Sequence, residues 1–224
     1  NCLLQSAGGR GVLFGGGSGV RRGRVSVLGG GVAGLCAARV AAGMGADVTV
    51  FDVDVARMRY IDEVWGGRIG TRFSSPLAVR EACGESDVVI GSVLVPGART
   101  PHLVDHEMVL GMVPGSVLVD IAVDQGGCFE DSHPTTHADP TFVVGGSVFY
   151  CVANMPGAVP HTSTYALTNA TMRYVLLLAD EGWRGACGSR DDLRRGLATC
   201  GGKLVSAPVG EALGIECVPV SEVL

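Results

Sequence analysis

The stretch Arg24-Val-Ser-Val-Leu-Gly-Gly-Gly-Val-Ala-Gly-Leu-Cys-Ala-Ala-Arg-Val-Ala-Ala-Gly-Met-Gly-Ala-Asp-Val-Thr-Val-Phe-Asp52 decides the fold. A β-branched run, Val25 to Leu28, breaks into glycines and becomes an alanine-rich helix over Val32 to Met44. A second β-branched run, Val48 to Phe51, follows and ends in an acid. Strand, turn, helix and strand in that order predict a βαβ unit. Gly29, Gly31 and Gly34 stand inside it at Gly-x-Gly-x-x-Gly spacing. Each has its own task in dinucleotide binding: Gly29 permits the tight turn, Gly31 lets a diphosphate approach the backbone, and Gly34 lets helix and strand pack closely. The helix start adds unpaired N–H groups and a partial positive charge.

Asp52 closes the second strand eighteen residues past Gly34. A carboxylate there can accept both hydroxyls of an adenosine ribose and repels a 2′-phosphate, so the expected cofactor is NAD rather than NADP. Arg57, one turn into the next helix, keeps the 2′-phosphate alternative open. Glycine spacing alone is a weak signal in a chain with 35 glycines; the strand before, the helix after and the acid at its distance carry it.

Working outward, the alternation continues. Val55 to Val64 has helical spacing, Arg68 to Thr71 reads as a short strand, and Pro76 to Cys83 opens with a proline suited to a first helical turn. Val88 to Val95 is a buried-strand run, Leu103 to Met112 a short helix, and Val117 to Val123 another apolar strand. Thr141 to Val144 and Val148 to Val152 follow as strands. Uninterrupted Val, Ile and Leu runs between helices predict an α/β fold: a doubly wound, mostly parallel sheet covered on both faces. From Pro160 a helical pattern could run to Trp183, with Thr162 or Ser163 as cap. The rest, with Asp191 to Leu197 helical, Lys203 to Val205 extended and Val209 to Leu213 helical, is too small for its own core. The expected organisation is a nucleotide-binding domain over residues 1–159, beginning with a connector, and a helical extension over 160–224 that belongs to a second, incomplete domain. The glycine-rich start, Asn1 to Gly23, reads equally as a connector or a frayed surface loop.

With 224 residues and 47% hydrophobic side chains the chain can bury a sizeable core. A net charge of −5 without long basic runs argues against nucleic-acid binding. No stretch approaches twenty apolar residues and no secretory signal opens the chain, so neither a membrane span nor export is expected. Eight cysteines without a Cys-x-x-Cys pair suit reduced thiols and a cytoplasmic location. Asn1 without a preceding methionine points to a removed leader or a longer protein.

In a doubly wound sheet, ligands sit beyond the carboxyl ends of the strands. That rule selects Ser74, Val93 and Leu94, then Ile121, Ala122, Val123 and Asp124, and finally Val152, Ala153, Asn154 and Met155, with core packing the alternative for the apolar members. Asp120 and Asp124 flank a strand end ahead of Gly126-Gly127. Asp124 either faces a bound nicotinamide, where it could polarise substrate or assist proton transfer, or caps the following turn. His133 and His137 have a metal-ligand spacing, but Pro134 and two threonines make the segment a loop, and no metal is expected.

The runs Val119-Asp-Ile-Ala-Val-Asp-Gln-Gly-Gly-Cys128, Pro134-Thr-Thr-His137, Asp139-Pro-Thr-Phe142, Tyr150-Cys-Val-Ala-Asn-Met-Pro-Gly-Ala-Val-Pro160 and Thr162-Ser-Thr-Tyr-Ala-Leu-Thr-Asn-Ala-Thr171 are far more specific. With Leu94-Val-Pro-Gly-Ala98 and Arg72-Phe-Ser-Ser75, they resemble alanine dehydrogenase across essentially the whole chain, more than its relative, the NAD(H)-binding component of proton-translocating transhydrogenase. The resemblance implies reversible oxidative deamination of L-alanine with NAD to pyruvate, ammonium and NADH, in a homo-oligomer, commonly a hexamer. It implies that Val32 and Ala33 meet the pyrophosphate, and that Asp52 and Arg57, a lysine in the family, meet the ribose region. Ser74, Val93 and Leu94 would line the adenosine side. Ile121 to Asp124 and Val152 to Met155 would surround the nicotinamide, with Asp124 catalytic. His133 stands where the family commonly has a cofactor-contacting arginine. The family's N-terminal substrate-holding segment has no counterpart in these residues, so the chain is expected to be a nucleotide-binding portion incomplete for catalysis, or a non-catalytic module.

Overall fold

The computed structural model describes residues 1–94 and 100–224. They fall into two compact units, residues 1–94 with 100–155, and residues 156–224. In the first, β1 (Arg24–Leu28), β2 (Asp47–Asp52), β3 (Gly70–Phe73), β4 (Val88–Gly91), β5 (Val117–Asp120), β6 (Thr141–Val144) and β7 (Ser147–Tyr150) form one sheet in the order β3-β2-β1-β4-β5-β7-β6. Every neighbouring pair is parallel except β6 with β7. The chain winds one way from β1 and then the other, which is the doubly wound topology the alternation predicts.

Helices α1 (Val32–Gly43), α2 (Val55–Trp65), α3 (Pro76–Glu85) and α4 (His106–Leu110) connect the strands. Ala38, Ala41 and Ile61 of α1 and α2 join one buried cluster with Val25, Val27, Val48 and Val50. Ala78, Val79 and Met108 of α3 and α4 join a second with Leu28, Phe51, Leu118, Phe129 and Phe149. Two cores are what a sheet covered on both faces requires, and each fully buried aliphatic side chain contributes about 1.5–3 kcal/mol. The amino-terminal segment is docked rather than frayed: Cys2, Leu3 and Phe14 pack on the first of these clusters. Arg10 Nη1 and Arg21 Nη1 donate to the buried carboxylate of Asp87 at 2.5 and 2.6 Å.

Several boundaries differ from the periodicity. The third strand lies at Gly70–Phe73, slid to pair with Thr49 to Asp52 of β2. β4 stops at Gly91, and the last residue of the expected run, Val95, lies outside the described residues, as do residues 96–98 of the family motif. β5 stops at Asp120 because its side chain accepts from Ala122 N at 3.0 Å, an aspartate turn that leads the chain out of the sheet. Gly145 and Gly146, both at positive φ (56° and 85°), close a two-residue hairpin that makes β6 antiparallel.

In the second unit, α5 (Pro160–Ser189) is two helical runs meeting at Gly182, whose φ of 67° is non-helical. Neither Thr162 nor Ser163 caps it: Pro160 occupies the first turn, and Ser163 Oγ donates backwards to Pro156 O and Val159 O. The chain continues through α6 (Asp191–Gly196), a hairpin of β8 (Thr199–Cys200) and β9 (Lys203–Leu204), and α7 (Ala207–Leu213). Ala186 and Cys187 are the buried apolar side chains of this unit, while Tyr165, Leu167, Val175 and Leu176 stay exposed. No helix among the described residues is long and apolar enough to cross a membrane.

Candidate functional site

Backbone hydrogen bonds line up the carboxyl ends of five strands in one row. Ser74 N bonds Asp52 O, Gly29 N bonds Phe51 O, Ser92 N bonds Leu28 O, and Ile121 N bonds Gly91 O, all at 2.8–2.9 Å. The sequence-selected residues Gly29 to Gly34, Asp52, Ser74, Val93, Leu94 and Ile121 to Asp124 therefore emerge at the same edge.

The glycine turn has three different constraints. Gly29 holds φ +101°, and a Cβ there would press on the Ser92 carbonyl and Val93 at 3.0 Å. A Cβ on Gly34 would overlap the Gly29 carbonyl oxygen and Ser92 Oγ. A Cβ on Gly31 would meet nothing within 4 Å among the described residues, so their packing makes no demand for glycine there. Ser92, which no sequence signal marked, ties the turn to β4 by donating to Leu28 O and Gly29 O at 2.9 and 2.8 Å.

Asp54, Ser75 and Asp105 cap α2, α3 and α4 with their side chains, whereas α1 begins at Gly31 with no side-chain cap. Among the described residues, the first N–H groups of α1 thus have neither an intrahelical partner nor a capping oxygen, beside exposed Val32 and Ala33. Asp52 is aimed at this turn: Oδ2 accepts from Gly30 N at 2.7 Å and Oδ1 from Asp54 N at 2.9 Å. Each oxygen keeps a lone pair free for a hydroxyl. Arg57 Nε donates to Gly30 O at 2.5 Å, so the turn is gripped at both its N–H and its carbonyl. Without a capping side chain and with an oriented acid alongside, the turn fits a diphosphate joined to a ribose.

At the far side of the crevice, Asp124 is exposed on a 3-10 turn, Val123–Gln125. Its Oδ2 lies 3.5 Å from Asn154 N, which joins the loop after β5 to the loop after β7. Asn154 is the non-glycine residue at positive φ among the described residues (54°), a conformation asparagine tolerates better than most, and His137 Nε2 bonds its carbonyl at 3.1 Å. Ala122, Val123 and Val152 are buried; Leu94 is exposed, and Ser74, Ile121, Ala153 and Met155 are half-buried. His133 stacks on Phe142 with ring centroids 3.7 Å apart. The sulfur of Cys128 is buried against Val93 O, and burial pushes this thiol up to about 12. His102, His106 and His161 go elsewhere, to Gly126 O, Asp131 and the Tyr165 ring.

Comparisons with known proteins bear on the family and the fold. The family model "Alanine dehydrogenase/PNT, C-terminal domain" matches residues 1–207. The chain is similar to alanine dehydrogenase of Mycolicibacterium smegmatis, 58% identical over 222 residues, covering 99% of this chain and 60% of that protein. It is similar also to alanine dehydrogenase 2 of Staphylococcus aureus, 50% identical over 223 residues, again 99% of this chain and 60% of that one. A solved L-alanine dehydrogenase superposes with TM-score 0.85 at 47% identity over 95% of this chain and 59% of that one. The transhydrogenase of Sinorhizobium meliloti superposes with TM-score 0.55 at 34% identity over 62% of this chain and 40% of that one. The chain thus spans about 60% of the length of the curated relatives it matches. It belongs to the alanine dehydrogenase/PNT C-terminal domain family.

Proposed function

We propose that this chain is the NAD-binding portion of an L-alanine dehydrogenase, the first unit holding the cofactor and residues 160–224 contributing to the domain that holds the amino acid. The observation that carries this reading is the uncapped start of α1 beside an Asp52 carboxylate fixed at the neighbouring strand end. Backbone N–H groups of Gly31, Val32 and Ala33 would hold the diphosphate, and Asp52 the ribose hydroxyls, which disfavours NADP. Arg57 reaches the same region while clamping Gly30 O. When bound, NAD supplies the hydride acceptor for the substrate carbon.

Within the chain's own residues, the loops of Ile121 to Asp124 and Val152 to Met155 would border the nicotinamide, and Asp124, exposed at the crest, would present its carboxylate to the reacting substrate or water. His133, at the position of the family's cofactor-contacting arginine, is stacked on Phe142. Family membership supports L-alanine and pyruvate as the substrates, and a homo-oligomeric state and a cytoplasmic location belong to the same proposed reading. The test is an NADH fluorescence titration alongside NADPH. Saturable NADH binding with weaker NADPH binding is the expected result, and no affinity for NADH or NAD would overturn it. Alanine-dependent NAD reduction by this chain alone would overturn the narrower reading of a binding portion that is incomplete for catalysis.

A further inference from the structure

Asp120 is the last residue of β5 and has no exposed surface. A carboxylate in that position is costly to bury unless its lone pairs are filled. Oδ1 accepts from Ala122 N at 3.0 Å; Oδ2 accepts from Cys128 N at 2.8 Å, Phe129 N at 3.4 Å and Ser132 Oγ at 2.6 Å. The four donors are neutral, and they come from both ends of the segment that carries Asp124. The chain leaves the carboxylate at Ala122, arches over Val123 to Gly126, and returns to it at Cys128.

The surroundings are shaped to let this happen. Gly127 holds φ +80°, and a Cβ there would come within 2.9 Å of Asp120 Oδ2. Gly91, opposite Asp120 in the sheet register, has no room for a Cβ, which would lie 2.6 Å from that of Cys128. The arch closes on itself through Gln125 N to Ala122 O at 2.9 Å and Gly127 N to Ala122 O at 3.1 Å. It also sets its neighbour, because Cys128 O accepts from Leu103 N at 2.7 Å and Gln125 O from Thr100 N at 2.9 Å.

We propose that Asp120 is the positioning residue of the nicotinamide end: it touches no reactant, but it gathers both feet of the arch and so fixes where Asp124 stands. This rests on the NAD-binding reading above. The glycine turn and Asp52 belong to other strands, and the hydrogen bonds that fix them do not involve Asp120.

The experiment compares NADH with ADP-ribose, which lacks the nicotinamide, on the unaltered chain, Asp120→Asn and Ser132→Ala. In Asp120→Asn an amide N–H₂ replaces one acceptor and faces backbone donors, so NADH affinity should fall about tenfold or more while ADP-ribose affinity stays within about twofold. Ser132→Ala removes one of four donors and keeps the carboxylate, so it should fold and lower NADH affinity about threefold with the same selectivity; it carries the test if Asp120→Asn does not fold. NADH affinity unchanged in both variants, or NADH and ADP-ribose weakened together, overturns the proposal. Failure of the unaltered chain to bind either ligand overturns the cofactor reading itself, and the assignment of Asp120 with it.

Discussion

Asp87 and Asp120 are both fully buried carboxylates at the ends of adjacent strands, and they are satisfied in opposite ways. Asp87 precedes β4 at the amino end of the sheet. It accepts from Arg10, twice from Arg21, and from Arg24 N at 2.8 Å. Asp120 ends β5 at the carboxyl end and accepts from neutral donors. Countercharge reaching in from distant sequence makes Asp87 a staple for the amino-terminal segment. Local dipoles make Asp120 a template for one loop. The same side chain thus serves stability at one edge and shape at the edge where ligand is expected, and the two can be separated experimentally.

The sharpest separation comes from Asp87→Ala. It leaves the guanidinium groups of Arg10 and Arg21 facing a cavity, at a cost of about 3 kcal/mol in urea unfolding, the low end for a broken buried pair because Arg21 is half exposed. NADH affinity of the folded chain should not change; a loss of affinity would break the contrast. Part of the same contribution is titratable. Burial, the largest influence, pushes the Asp87 carboxyl up, but the hydrogen bonds from Arg21 and Arg24 N and the charges of Arg21 and Arg10 outweigh it and hold it below the usual carboxylate range. A depressed folded value gives stability that is complete above the unfolded value of about 3.9 and is lost as pH falls through the folded one. Unfolding free energy below about pH 4 should therefore fall more steeply for the unaltered chain than for Asp87→Asn.

At the other edge, Asp52→Asn should leave urea stability nearly intact and weaken NADH binding by about 2 kcal/mol, roughly 30-fold, while narrowing the preference over NADPH. An unchanged NADH titration would deny the ribose role. The smallest effect is expected from Ser75→Ala, which removes the 3.2 Å bond from Ala78 N that caps α3; about 1 kcal/mol of stability and no binding should be lost.

Much of this was legible in the sequence because local patterns carried it. The β-branched runs, the glycine spacing and the acid that ends β2 marked the βαβ unit, and the apolar runs marked the sheet as mostly parallel and covered on both faces. What escaped depended on long-range partners. Asp120 was visible as an acid closing an apolar run, but its role needs donors up to twelve residues away. Ser92 carries no local signature, since its partners Leu28 O and Gly29 O lie more than sixty residues back. The antiparallel turn of β6 was written in Gly145-Gly146, a two-residue hairpin signal that the parallel pattern on either side obscured.

The staple at Asp87 also carries a timetable. Arg21 is made 66 residues before the acid it clasps, and Arg10 is made 77 residues before it. A growing chain released in order from the ribosome must carry both guanidinium groups without their partner until β4 is reached. The amino-terminal segment can therefore settle only after three strands and three helices have been synthesised.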